Sequence, residues 1–255
     1  MHIRRKKWAR PELAACPFFD AEGESRRGRW RESFADPGKP LHLEMGCGKG
    51  VSTAKMAAAN PEINYVAVDI SEDVLGDARR NIVRACGENP GNIRLLCADI
   101  CFIGKCFSRE DGAERIIISF CNPWSERPKH EKRRLTHPRQ LIQYREMLRE
   151  GGEIWFKTDD DTLYEDSLAY FALCGFEPVT LIRDLAGSGF APNYISEHEE
   201  KYMALGVPIK FGIFRMTGKE PDFDPTRFRL TPGVKKRVLE EISGTMNRKG
   251  EKQDV

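Results

Sequence analysis

Leu43-Glu44-Met45-Gly46-Cys47-Gly48-Lys49-Gly50 is the stretch from which the rest of the chain can be laid out. A short apolar run starting at Leu41 leads into it. A helical pattern, Val51 to Ala59, follows and is stopped by Asn60-Pro61. Asp69 stands nineteen residues past Gly50, at the end of a second apolar run, Tyr65 to Val68, within a strand read as Ile63 to Val68. Strand, glycine turn, helix, strand and acid is the layout of a nucleotide-type cofactor pocket. Glycines let a backbone turn sharply and come close to a ligand, and an acid at the second strand's end can accept both hydroxyls of a ribose. A plain glycine-rich turn would explain Gly46, Gly48 and Gly50 alone. Glu44 and Asp69 in the same unit favour the pocket. The spacing is G-x-G-x-G, with an acid two residues before the first glycine, and not the G-x-G-x-x-G of a dinucleotide turn.

The same alternation continues outward. Ser71, Glu72 and Asp73 open a helix running to about Cys86, because hydroxyl and acid groups suit a helix N-terminus. Asn92 to Ala98 reads as a third strand and Arg115 to Phe120 as a fourth, apolar enough to be buried on both faces. A helix over Thr136 to Arg149 stops at Gly151-Gly152. Glu153 to Lys157 is a fifth strand, and Asp161 to Cys174 a helix ended by Gly175. Val179 to Arg183 and Lys210 to Met216 complete seven strands. Strands separated by helices predict an α/β fold with a doubly wound, mostly parallel, seven-stranded sheet. Residues 1–35 read as a polar, irregular, basic extension, 36–217 as the folded unit, and 218–255 as a charged extension with a short helix near Lys235 to Ile242 and a disordered end.

Bulk properties narrow the function. At 255 residues the chain can bury one substantial core. No apolar run nears the roughly 18 residues of a membrane span, and the basic N-terminus lacks the apolar stretch of a secretion signal. The eight cysteines contain no C-x-x-C pair, which argues against a zinc ribbon or an iron–sulfur centre and for reduced thiols in a cytoplasmic protein. A net charge of +2 says nothing about nucleic acid, but cations cluster at Arg4 to Arg10, at Arg26 to Arg31 and at Lys129 to Arg134. Three clusters in a balanced chain favour one basic face for an anionic polymer.

In an open parallel sheet, ligands sit beyond the carboxyl ends of the strands. There the sequence places Glu44, Asp69, Asp99, Asn122 and Asp159. Helix caps and turns would account for any one of them; five in succession suggest a site. Asp99 could accept from an exocyclic adenine amine. Asn122-Pro123-Trp124 offers an amide for a base edge, a proline that stiffens the loop, and an aromatic that can stack. Lys129, Lys132, Arg133 and Arg134 then supply charge for phosphate.

The block Asn122 to Thr136, NPWSERPKHEKRRLT, resembles the D-P-W…R-H-x-K-R-R-L signature of bacterial tRNA (guanine-N7)-methyltransferases. Arg5-Lys6-Lys7-Trp8-Ala9 is similar to that family's start, LEMGCGKG to its first motif, NIRLLCAD to its adenine-side strand, and Phe156-Lys157-Thr158-Asp159 to its F-K-T-D. Ser196 to Tyr202 followed by Gly206, Pro208 and Ile209 resembles its late T-x-x-E motif. The likeness runs from about residue 3 to 217. It implies a Rossmann-like class I methyltransferase that uses S-adenosylmethionine, whose ammonium group an acid beside the turn would suit. It implies tRNA as substrate, the variable-loop guanine as target, no metal, and a monomer or weak dimer. By resemblance, Glu44, Gly46, Gly48, Gly50, Asp69, Asp99 and Asn122 serve the cofactor. Trp124, Arg127, Lys129, Lys132, Arg133, Arg134, Asp159, Ser196, Glu197 and Glu199 serve the RNA. Asn122 stands where the family's signature has Asp, the residue usually taken as catalytic, and the loop is one residue longer, so Arg127 and Lys129 compete for the family's substrate-lysine role. An adenine-N6 methyltransferase, whose N-P-P-Y loop also pairs Asn-Pro with an aromatic, and a catalytically weak RNA-binding paralogue are the alternatives.

Overall fold

The computed structural model describes residues 5–126 and 128–250. In chain order its elements are α1 (Ala9–Ala14), β1 (Phe19–Asp20), β2 (Leu41–Met45), α2 (Val51–Ala59), β3 (Asn64–Asp69), α3 (Glu72–Cys86), β4 (Ile93–Cys97), β5 (Ala113–Ser119), α4 (Pro138–Met147), β6 (Leu148–Thr158), α5 (Asp161–Leu173), β7 (Phe176–Ile182), α6 (Glu197–Ala204), β8 (Lys210–Met216) and α7 (Pro232–Gly250). The strands form one sheet in the order β1-β4-β3-β2-β5-β6-β8-β7. All neighbours run parallel except β8, which is antiparallel to β6 and to β7.

The chain winds outward from β2 through β3 to β4, then returns to lay β5 on the other side of β2. This reversal opens a crevice at the carboxyl ends of β2 and β5. Every residue of β2 is buried. Leu41, Leu43 and Met45 join the core that includes Leu141, Tyr144 and Phe171 on α4 and α5. The opposite face, with Tyr65, Ala67 and Leu95, packs under α1, α2 and α3. The alternation is the strand's two-residue period buried on both sides.

Three expectations need correction. The sheet has eight strands and not seven, because Phe19 and Asp20 pair with Leu95 and Leu96 at its edge. Two residues are too few to carry a periodic signal. Residues 9–34 are not irregular: Trp30 is fully buried, stacks on Phe107 at 5.0 Å and donates its indole N–H to the Cys106 carbonyl at 2.8 Å. Nor are the N-terminal cations all free for a ligand. Lys6 pairs with Asp77, Arg10 with Glu72 and Arg31 with Glu114, which fastens the N-terminal segment to α3 and β5, and Arg26 pairs with Asp20 within that segment; Arg5, Lys7, Arg27 and Arg29 stay exposed.

Smaller differences follow from local chemistry. His137 caps α4 by accepting from the Arg139 N–H, which delays the helix to Pro138. α6 has no strong apolar period and was not foreseen; Ser196 caps it by accepting from the Glu199 N–H at 3.1 Å. The C-terminal helix is longer than Lys235 to Ile242 and lies on α5, with Val238 and Ile242 buried. The expected disordered end, 251–255, lies outside the described residues. No helix among the described residues is long and apolar enough to cross a membrane.

Candidate active site

A cleft of about 640 Å³, counted to its open mouth, lies where β2 and β5 end. Glu44 and the glycine turn form one wall, Ser119 and Phe120 another, and Ser196, Glu197 and His198 at the start of α6 the third. The turn is left-handed at Gly46, Gly48 and Gly50, with φ of 81°, 56° and 64°. Gly50 is also sterically required, because a Cβ there would stand 2.8 Å from the Ala78 Cβ on α3. At Gly48 an added Cβ would meet nothing within 4 Å, so this edge of the backbone is open to a ligand.

Glu44 is almost fully buried and accepts from the Ser52 hydroxyl at 3.1 Å and from the Thr53 hydroxyl. Burial pushes its carboxyl up to about 7, although those two hydroxyls and the Lys157 charge pull the other way. Asp69 accepts from the Gly48 N–H at 3.0 Å and the Ser71 N–H at 3.1 Å, so the acid that ends β3 braces the turn that ends β2. Burial also raises the Asp69 carboxyl. Beyond it Ile70 is 64 % exposed, and past Asp99 on the next strand Phe102 is 60 % exposed. Two large apolar side chains left in solvent beside two strand-end acids are a feature that the sequence reading missed. Their place one and three residues after the acids was the available signal. Asp99 itself accepts from the Cys101 N–H and faces an adjoining hollow, not the cleft.

The β5 end is strained. Phe120 and Trp124 both have left-handed backbones, φ 54° and 50°, unusual for large side chains. Asn122 accepts the Trp124 N–H at 2.9 Å, closing a turn that holds this shape. The Trp124 ring is met by the Arg133 guanidinium at 5.2 Å and by the edge of His130. Arg127 lies outside the described residues.

The late motif splits by depth. Glu199 is buried and pairs with Lys157 at 3.1 Å, and Asn193 bridges the two. Glu199 is therefore no surface contact: it ties α6 to β6 beneath the cleft. Glu197 is exposed and reaches Lys49 of the glycine turn at 2.7 Å, spanning the mouth. His198 sits between them in the chain, within the stretch Ser196 to Glu199 that the motif reading placed at the guanine, though without a role of its own there. Its ring stacks on Tyr202, leans on Phe120, and places Nε2 3.1 Å from Asp159.

The basic block also splits. Lys129, Lys132 and Arg133 are exposed. Arg134 is not available to phosphate: it is 1 % exposed, donates to the Pro123 carbonyl at 2.6 Å and pairs with Asp166 at 2.8 Å. Its task is to hold the Asn122 loop to α5. Among the described residues, no group of three or more His, Cys, Asp or Glu side chains is placed to hold a metal ion.

Comparison with known proteins agrees with this geometry. Residues 38–211 match the family model described as "Putative methyltransferase". The chain is 48 % identical to the tRNA (guanine-N(7)-)-methyltransferase of Clostridium perfringens (strain SM101 / Type A) over 216 residues, 84 % of this chain and 98 % of that protein. It is 45 % identical to the enzyme of the same name from Acetivibrio thermocellus, with the same coverage. A crystal structure of the 16S rRNA methyltransferase KamB shares the fold, with a TM-score of 0.51, 13 % identity, and coverage of 84 % of this chain and 95 % of that one.

Proposed function

The chain belongs to the bacterial tRNA (guanine-N7)-methyltransferase family, and from that premise we propose how its own residues carry the reaction. It transfers a methyl group from S-adenosylmethionine to N7 of a guanine in tRNA. S-adenosylmethionine supplies the electrophilic methyl. Guanine N7 is a lone-pair nucleophile with no proton to lose, so no general base is needed. What the protein must do is align the base and strip water from it.

We assign the cofactor to the turn Gly46–Gly50, with Asp69 for the ribose, Asp99 for the adenine side, Glu44 toward the ammonium and Asn122 at the cleft's far edge. Buried Glu44 and half-buried Asp69, both with raised proton affinity, fit a cationic ligand, because a positive charge favours their ionised forms. Asp159, oriented by His198, faces the guanine, with Ser196 capping the helix that carries His198 and Glu197 at the mouth. The Asn122 amide can still accept a hydrogen bond; what it lacks is a negative charge to favour a guanine becoming cationic. Lys129, Lys132 and Arg133 take phosphate, and Trp124 stacks. The variable-loop guanine, a monomer or weak dimer, a cytoplasmic setting, and a catalytic unit spanning 36–217 complete the proposal.

The observation that carries this reading is the junction of the glycine turn with α6 across one mouth, through Lys49 and Glu197. The test is mass spectrometry of nucleosides from tRNA incubated with protein and S-adenosylmethionine. N7-methylguanosine is expected. N6-methyladenosine would favour the adenine-type rival. No modification, with both ligands bound, would favour the RNA-binding paralogue.

A further inference from the structure

The family model stops at residue 211, and the segment beyond β8 has a charge pattern of its own. Residues 226–237, TRFRLTPGVKKR, hold five cations and no acid. Folded, the first part of this run stands opposite the basic block. Lys129 and Lys132 line one side of a groove of about 1500 Å³, counted to its mouth, and Arg227 and Arg229 line the other. All four are exposed. Among the described residues Lys129, Lys132 and Arg229 have no ion-pair partner, and Arg227 has only the exposed Asp224 at 3.6 Å. Glu131 is the one acid along the groove.

The wall formed by the C-terminal segment is anchored. Phe228 packs against Tyr170 of α5 and against Phe223. Lys235 reaches Asp166 at 2.8 Å and Glu165 at 3.2 Å. Asp166 is the same carboxylate that holds Arg134 at 2.8 Å. One acid on α5 thus ties the C-terminal segment and the basic block, and Arg134 continues the tie to the Pro123 carbonyl beside Asn122.

We propose that residues 226–230 form a second wall of an RNA-backbone groove, with Lys129 and Lys132 as the first, which grips phosphates of the tRNA next to the modified base. Four exposed cations on the two walls, three of them without an ion pair among the described residues, against one lining acid match a phosphate chain. This rests on tRNA being the substrate. The second wall comes from a segment outside the family model, so its contribution is separable from that of the cleft.

The test uses the full chain carrying Arg227→Ser with Arg229→Ser, and a companion with both changed to Lys. tRNA affinity is measured from 50 to 300 mM salt, alongside S-adenosylmethionine affinity. The Ser pair should bind tRNA roughly tenfold more weakly at moderate salt, and its log–log salt slope should fall by about 1–2. The Lys pair should restore most of both, and cofactor affinity should be unchanged in each. A wild type that methylates tRNA with a salt slope that the Ser pair shares would overturn the groove alone. A wild type that neither binds nor methylates tRNA would overturn the groove together with the family reading.

Discussion

Replacing Glu44 by Gln should make the cofactor-free protein more stable at pH 8 and leave it little changed at pH 5. The carboxyl is buried at the end of β2 and lifted from its ordinary 4.5 to about 7. Between those two values the folded chain holds a proton that the unfolded chain has released. A group of this kind is least costly below the unfolded value, and stability falls as pH rises through the window. Each pH unit of separation is worth about 1.4 kcal/mol, so the ionised side chain costs the fold about 3 kcal/mol once the pH passes the folded value. Gln has the same shape and no charge to bury. Its carbonyl can accept from one of the Ser52 and Thr53 hydroxyls, and its amide can donate to the other after that hydroxyl turns. Allowing about 1 kcal/mol for that rearrangement, the variant should gain about 2 kcal/mol at pH 8. Urea unfolding without cofactor at pH 5, 6, 7 and 8 reads this directly, because the difference between the two proteins removes every other titrating group. Curves that stay parallel across the range would refute the buried-charge argument. Calorimetry on the same variant should show weaker S-adenosylmethionine binding: the charge kept at a cost in stability is the charge proposed to meet the ligand's ammonium.

Gly50→Ala should cost about 2–4 kcal/mol, from a left-handed backbone and a clash with Ala78, seen as a fall of roughly 10 °C in melting temperature; an unchanged Tm would mean that the turn can relax. Asp166→Asn removes the partner of buried Arg134 and of Lys235 together and should cost about 2–3 kcal/mol. It should also speed proteolysis within 218–250, whereas Lys236→Ala, which loses an exposed pair, should change stability by less than about 0.5 kcal/mol. Asp69→Ala should weaken cofactor binding by about 1–3 kcal/mol in calorimetry, and unchanged affinity would remove it from the site. Asn122→Asp keeps the acceptor for the Trp124 N–H, so it should preserve fold and binding and raise the single-turnover methylation rate; a slower rate would mean that the loop is built around the amide.

The sequence by itself determined the parallel α/β plan and the place of the glycine turn. Those are local matters: the two-fold period of buried strands, glycines where φ must be positive, a proline after a helix. α2 and β8 run over the expected residues, Val51–Ala59 and Lys210–Met216. The family blocks were also legible, since each is a contiguous string. What the sequence could not sort was the depth of each residue within a block. Arg133 and Arg134 are neighbours of one type, yet one faces solvent and the other spends its donors on Pro123 and Asp166, thirty-two residues away. Glu197 and Glu199 differ in the same way, because a helix turns successive side chains through about 100° and only the packed face of α6 meets Lys157. In the basic N-terminus Lys6, Arg10 and Arg31 read as ligand contacts along the chain, yet acids on α3 and β5 take them up. Charge can be counted along a chain, but whether a cation is free depends on the acid that the fold brings beside it. That decision belongs to the tertiary structure, as does the meeting of residues 129–132 with 226–230, almost a hundred positions apart in the chain.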